Sequence, residues 1–245
     1  MRSSLITSAL TIALGLATPI VSAIGFPEIA VAQTVDQRKV EADRLLKEGN
    51  IQLEANKNKE AVSLLEKSLK LYQDLRDRSG EGQVLKSLGN ASLGLNQYEK
   101  ALELFQQLLS IAREIKNRDL EARSLNNIGL SYKGLNKLEK AIGYYQQSRS
   151  IARELKDRRV EGNALWNLGN AYQSLGNYVK SIEYHEQRLA IARELKDRQW
   201  EGNALGNLSL AYLGLKNSSK AVELSQQALA IARELKNPDL EKSAL

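Results

Sequence analysis

The segment Ile111-Ala112-Arg113-Glu114-Ile115-Lys116 returns, with Leu in its fifth place, at Ile151, Ile191 and Ile231, so the chain is written in units of 40 residues. A period of this size marks a solenoid, in which each repeat touches only its neighbours and the stack buries one continuous core. Just beyond the segment stand Asp77, Asn117, Asp157, Asp197 and Asn237, one per unit. Asp and Asn are strong N-caps, because their side chains accept bonds from the unpaired N–H groups of a helix's first turn. Four residues on comes Glu81, Glu121, Glu161, Glu201 or Glu241, a negative charge that suits the N-terminal dipole. Pro238 directly after Asn237 is a further start signal. A helix is expected to begin at each of these five points.

Within the unit, Leu165, Leu168 and Tyr172 lie three and four residues apart on one face, and Gly169 leaves room for close backbone approach. Leu175-Gly176-Asn177 should stop that helix. A second helix then carries Tyr178, Ser181, Ile182 and His185 and runs into the basic end of the recurring segment, Arg193 and Lys196, which complements the C-terminal dipole. Each unit therefore reads as a helical hairpin. Leu125-x-x-Ile128-Gly129-x-x-Tyr132 followed by Ala141 and Tyr145 resembles the tetratricopeptide pattern. Leu85, Leu88, Gly89, Ala101 and Phe105 repeat it, as do Leu205, Leu208, Tyr212 and Ala221, with a weaker copy at Leu45, Gly49 and Ala61.

The resemblance covers residues 35–245. It implies an all-α, right-handed α-solenoid of five tandem helix-turn-helix repeats with a partial sixth. Two departures stand out: no proline separates the repeats before Pro238, and the unit exceeds the ordinary ~34-residue repeat. This long form looks like that of kinesin light chains and spindle-orienting adaptors. It is also similar to exported bacterial tetratricopeptide proteins, some of which carry a caspase-like CHAT peptidase domain; none is expected here.

The first residues read as an address. Arg2 precedes an apolar run from Leu5 to Ala17. As helix the run spans about 20 Å, short of the ~30 Å of a bilayer core, and its length fits a secretory signal peptide. The expected organisation is a signal peptide over 1–32, the solenoid over 33–236 and a truncated sixth-repeat helix over 237–245. Cleavage is expected after Ala32, with Ala23 as the second site, and would give an exported, periplasmic or secreted protein. An uncleaved signal segment would be its only membrane attachment. The chain has no Cys, so its stability does not depend on disulfides.

Composition narrows the chemistry. The formal charge is +6, but Lys and Arg alternate with Glu and Asp, as in Arg153-Glu154-Leu155-Lys156-Asp157, which reads as a solvated surface and not a nucleic-acid-binding face. Without Cys and with only His185, neither a cysteine nucleophile nor a zinc site is expected. No Gly-rich phosphate loop follows a strand. No enzyme, cofactor or metal is expected, and His185 and Trp200 are expected to pack.

Asparagine is the unusual constellation. Asn163, Asn167 and Asn170 recur at offsets of four and three, a stripe nearly opposite the core face of the first helix. Asn90, Asn127, Asn203 and Asn207 continue it in other repeats, and Trp166 lies at its edge. The resemblance implies that first helices line the concave face. A stripe of amides there could hold peptide backbone, since an amide donates and accepts at once. The same residues also suit bonding between helices. The favoured partner is a protein or peptide segment. The alternative is a self-associating scaffold whose copies stack end to end.

Overall fold

The structure, a computed structural model, describes residues 26–244. The apolar run and the Ala23 site lie outside these residues. The chain divides after Gln37, and residues 38–245 form one unit. The helices are α1 (Phe26–Glu54), α2 (Asn58–Asp74), α3 (Arg78–Gly94), α4 (Tyr98–Glu114), α5 (Arg118–Gly134) and α6 (Leu138–Leu155). They continue with α7 (Arg158–Ser174), α8 (Tyr178–Glu194), α9 (Arg198–Gly214), α10 (Ser218–Glu234) and α11 (Pro238–Ala244). Among the described residues there is no strand, and no helix is long and apolar enough to cross a membrane. The bond after Ala32 lies inside α1, which begins earlier than the expected solenoid start at residue 33.

The turn chemistry explains the repeat. Helix α4 stops with Lys116 in the left-handed region at φ 55°, while the N–H groups of Lys116 and Asn117 bond back to the carbonyls of Arg113 and Ala112 at 3.1 and 2.8 Å. This is the Schellman closure of a helix end. Asn117 is at the same time the N-cap of α5, its side chain accepting from the Leu120 N–H at 2.9 Å. Asp77, Asp157, Asp197 and Asn237 cap α3, α7, α9 and α11 in the same way. One residue thus ends one helix and begins the next. Left-handed residues recur at Asn56, Arg76, Asn96, Lys116, Asn136, Lys156, Gly176, Lys196, Lys216 and Lys236, every half-period.

Inside each of the first four hairpins, a glycine of the first helix faces a large residue of the second. A Cβ on Gly89 would lie 2.5 Å from the Phe105 ring, one on Gly129 2.4 Å from Tyr145, and one on Gly169 2.5 Å from His185. The fifth hairpin uses small residues at both places, Ser209 and Ser225, and the Ser209 hydroxyl donates to the Ala221 carbonyl at 2.8 Å. Consecutive helices pack along the whole stack, and the first helices α5, α7, α9 and α11 also touch in sequence. The first helices from α5 to α11 therefore form a contiguous face.

The recurring segment now has a reason at each residue. Its Ile and Ala are buried: Ile111, Ala112, Ile151, Ala152, Ile191, Ala192, Ile231 and Ala232. Its Arg reaches the first-turn Glu of the next hairpin, as in Arg113–Glu121 at 2.9 Å and Arg193–Glu201 at 2.8 Å. Its Glu receives the Arg that follows the N-cap of its own hairpin, as in Arg118–Glu154 at 2.7 Å and Arg158–Glu194 at 3.0 Å. Burial pushes the Glu121 carboxyl up, but bonds from Arg113 and Arg118 outweigh it and hold the group below the usual carboxylate range. Ion pairs therefore alternate between joining the two helices of one hairpin and joining that hairpin to the next.

Candidate functional site

The first-helix face carries three depressions in a row. One, of about 300 Å³, is lined by Lys86 and Asn90 of α3, Arg123, Asn126 and Asn127 of α5, and Asn163 of α7. The second, of about 310 Å³, lies between α7 and α9, with Asn163 and Trp166 on one side and Asn203, Gly206 and Asn207 on the other. The third, of about 620 Å³, includes Asn170, Gln173 and Ser174 of α7 with Leu210 and Leu213 of α9. No Asp or Glu lines any of them, whereas Lys86, Arg123, Lys133 and Arg188 do. The lining is amide-rich and positive. Arg123 is partly neutralised by Asp119 at 2.9 Å and Asp157 at 3.2 Å.

Asn90, Asn127, Asn163, Trp166, Asn170, Asn203 and Asn207 all lie on these depressions. Asn167 does not. It is 2% exposed, and its Nδ2 donates to Asn126 Oδ1 at 2.9 Å, linking α7 to α5. Ser87, at the same place two units back, donates to Asn50 of α1 at 2.7 Å. At Asn167 and Ser87 this position joins repeats, the second use the sequence suggested for asparagine, whereas Asn127 and Asn207 in the same place line the depressions.

Sequence reasoning passed over Arg188, which lines the second depression from α8 beneath the first helices. Its guanidinium lies over both tryptophans, 5.3 Å from the Trp166 ring and 4.9 Å from the Trp200 ring. Burial pushes its pKa down to about 10, against a smaller opposing pull from Asp197, so it stays charged at neutral pH. The available signal was its charge, since Ser68, Leu108, Ser148 and Ala228 occupy its place elsewhere. Trp200 packs as expected, its ring 2.4 Å from where a Cβ on Gly162 would sit. Trp166 remains 38% exposed.

His185 is fully buried against Gly169, with neither ring nitrogen hydrogen-bonded. Burial, and then the nearby Arg188 charge, pushes its pKa down to about 3. A neutral, enclosed imidazole of this kind is a packing group. Among the described residues, no group of three or more His, Cys, Asp or Glu side chains could hold a metal ion.

Fold and face together define a helical-hairpin solenoid that presents a polar, amide-rich first-helix surface. Residues 41–114, 80–154 and 161–234 match the tetratricopeptide repeat family, and the chain belongs to that family. Tetratricopeptide arrays are protein–protein interaction modules and in general non-catalytic scaffolds. A search of curated proteins returns no match. Among solved structures, BtubC (BKLC) from P. vanneervenii superposes with a TM-score of 0.70 at 21% identity, covering 83% of this chain and 92% of that one.

Aspartyl phosphate phosphatase F from Bacillus subtilis gives 0.77 at 18% identity, covering 86% of this chain and 55% of the phosphatase. A Rap protein complexed with competence and sporulation factor gives 0.63 at 16% identity, covering 86% and 62%. This chain thus spans little more than half of the phosphatase. At these identities the likeness is one of fold.

Proposed function

We propose that this protein is exported and holds a protein or peptide segment along its first-helix face without catalysing a reaction on it. The observation that carries the reading is the row of amide-lined depressions from α3 to α9, which contains no carboxylate. Asparagine in mid-helix costs several tenths of a kcal/mol relative to alanine, so repeating it on an open face needs a use outside the helix. Backbone amides of an extended segment supply one. The Rap protein that was solved with competence and sporulation factor lends support, since it shares the fold and carries a bound factor.

Site-directed photo-cross-linking in the native host tests the reading. A photoreactive phenylalanine analogue placed at Asn90 or Asn163 should capture a partner, while the same group at Gln107 or Glu186 on second helices should not. Capture only from the second-helix positions would refute it. Intact-mass measurement tests export: the mature chain should begin at Gln33 or Ile24, and a mass that includes residues 1–23 would defeat cleavage. Light scattering addresses the self-stacking alternative, which a concentration-independent monomer removes.

A further inference from the structure

Buried polar groups without hydrogen-bond partners gather in one part of the array. Apart from Ser92 Oγ, every such side-chain atom among the described residues belongs to the third or fourth hairpin: Tyr145 OH, Ser148 Oγ, Arg149 Nε, Asn167 Oδ1, both ring nitrogens of His185, and Nε and Nη1 of Arg188. Helix α8 carries the imidazole and the guanidinium one turn apart, both buried. An arginine cannot shed its proton in such a place, and a buried polar group that forms no bond is costly. The Trp166 and Trp200 rings beside Arg188 offset part of that cost. Arg149 brings a second charge from α6, over the Tyr184 ring of α8 at 5.8 Å, where other units place Leu69, Leu109, Leu189 and Leu229.

The apolar core breaks at the same place. One continuous cluster of buried side chains runs from Ala42 of α1 to Val160 in the first turn of α7. A smaller cluster joins Tyr145 of α6 to Leu168 and Ala171 of α7, and both clusters touch Tyr132. The next includes Ile182 and Leu189 of α8, continues to Leu240, and shares no side chain with the other two. His185 and Arg188 interrupt the buried face of α8 between Ile182 and Leu189, so the seam runs through this helix. In the second hairpin the same places hold Phe105 and Leu108, both fully buried within the continuous core. Stability in a repeat array is a sum over local units and their interfaces, so opening starts where an interface is least favourable.

We infer that α8 is the weak joint of the array and opens locally before the helices on its N-terminal side do. Helices α7 and α9 pack against α8 and supply the two walls of the second depression. Opening at α8 lets those walls shift, so the width of this depression is adjustable, whereas the continuous core fixes the spacing of α3 and α5. The property belongs to the free chain and does not depend on what the first-helix face binds.

Hydrogen exchange read by mass spectrometry on the purified protein tests the joint. Backbone amides in the middle of α8 should exchange roughly tenfold or more faster than those in the middle of α4, which is likewise flanked by a hairpin on either side. His185→Phe with Arg188→Leu gives α8 the pair that α4 carries and should slow its exchange towards the α4 rate. Gly169 leaves room for the new ring as Gly89 does for Phe105. Arg188→Leu alone replaces the pair if the pair does not fold.

The width is read by spin labels, since the chain has no Cys of its own. Labels on Asn163→Cys with Asn203→Cys span α7 and α9, and labels on Gln83→Cys with Arg123→Cys span the equivalent places on α3 and α5. Double electron–electron resonance should give a broader distance distribution for the first pair, and the α8 substitutions should narrow it. Equal protection of α8 and α4, or fast exchange in α8 that the substitutions do not slow, would overturn the joint. Equally narrow distributions for the two label pairs would overturn the adjustable width.

Discussion

His185 shows how a residue's neighbours decide its chemistry. It occupies the place of Phe105 and Tyr145, faces the same kind of glycine, and makes no hydrogen bond through either nitrogen. Its folded pKa of about 3 lies below the ordinary 6.5, so below pH 6.5 the unfolded chain takes up a proton that the folded chain refuses. The stability it contributes is present above that pH and is lost as pH falls toward 3. Between pH 7 and pH 5 the loss is roughly 2 kcal/mol. His185→Phe should remove this component, so denaturant titrations at the two pH values should differ less for the variant than for the natural protein. An equal pH dependence would mean that the imidazole is not enclosed.

At the same scale, packing of His185 and Trp200 was legible from their places in the repeat. The burial of Asn167 was not. It lies only about 40° round the helix from Asn163, and what closes over it is α5, an element 40 residues away in sequence. Arg188 escaped notice because its helix face reads as core. The length of an arginine side chain is what carries its charge through to the other surface.

The elements were the most legible part, because each boundary is written in side chains that do local work. Asp and Asn caps, first-turn Glu and basic last turns all mark ends that the structure places within a residue or two of expectation. The left-handed residue at every turn was less plain, since nine of the ten are not glycine. An L-residue there costs about 1–2 kcal/mol relative to its right-handed state, and glycine avoids most of this at an entropic cost of ~0.5–1 kcal/mol. Lys116→Gly should therefore stabilise the protein by roughly 0.5 kcal/mol, and Gly176→Ala should destabilise it by about 1 kcal/mol. Chemical denaturation checks both signs. A destabilising Lys116→Gly would indicate that the Lys116 side chain contributes more than its backbone costs.

For the whole molecule, the period alone implied neighbour-only packing, and the structure adds that the first helices from α5 to α11 touch one another in sequence. What a one-dimensional pattern could not give was the difference between repeats, since Trp166, Arg188 and Trp200 become one feature only when α7, α8 and α9 are stacked. The central claim is that the open asparagines hold a bound segment while the buried one holds the stack. The direct measurement is the dissociation constant of the cross-linked partner, taken with melting temperature on the same proteins. Replacing Asn127, Asn163 and Asn170 together by Ala should leave the melting temperature unchanged or slightly raised. Each lost bond costs ~0.5–1.5 kcal/mol, so binding should weaken by roughly one to three powers of ten. Asn167→Asp, a charge in a buried site, should do the reverse, lowering the melting temperature while the folded fraction keeps its affinity. Undiminished affinity in the triple variant, with its stability lost, would contradict the account and make the asparagine stripe part of the scaffold.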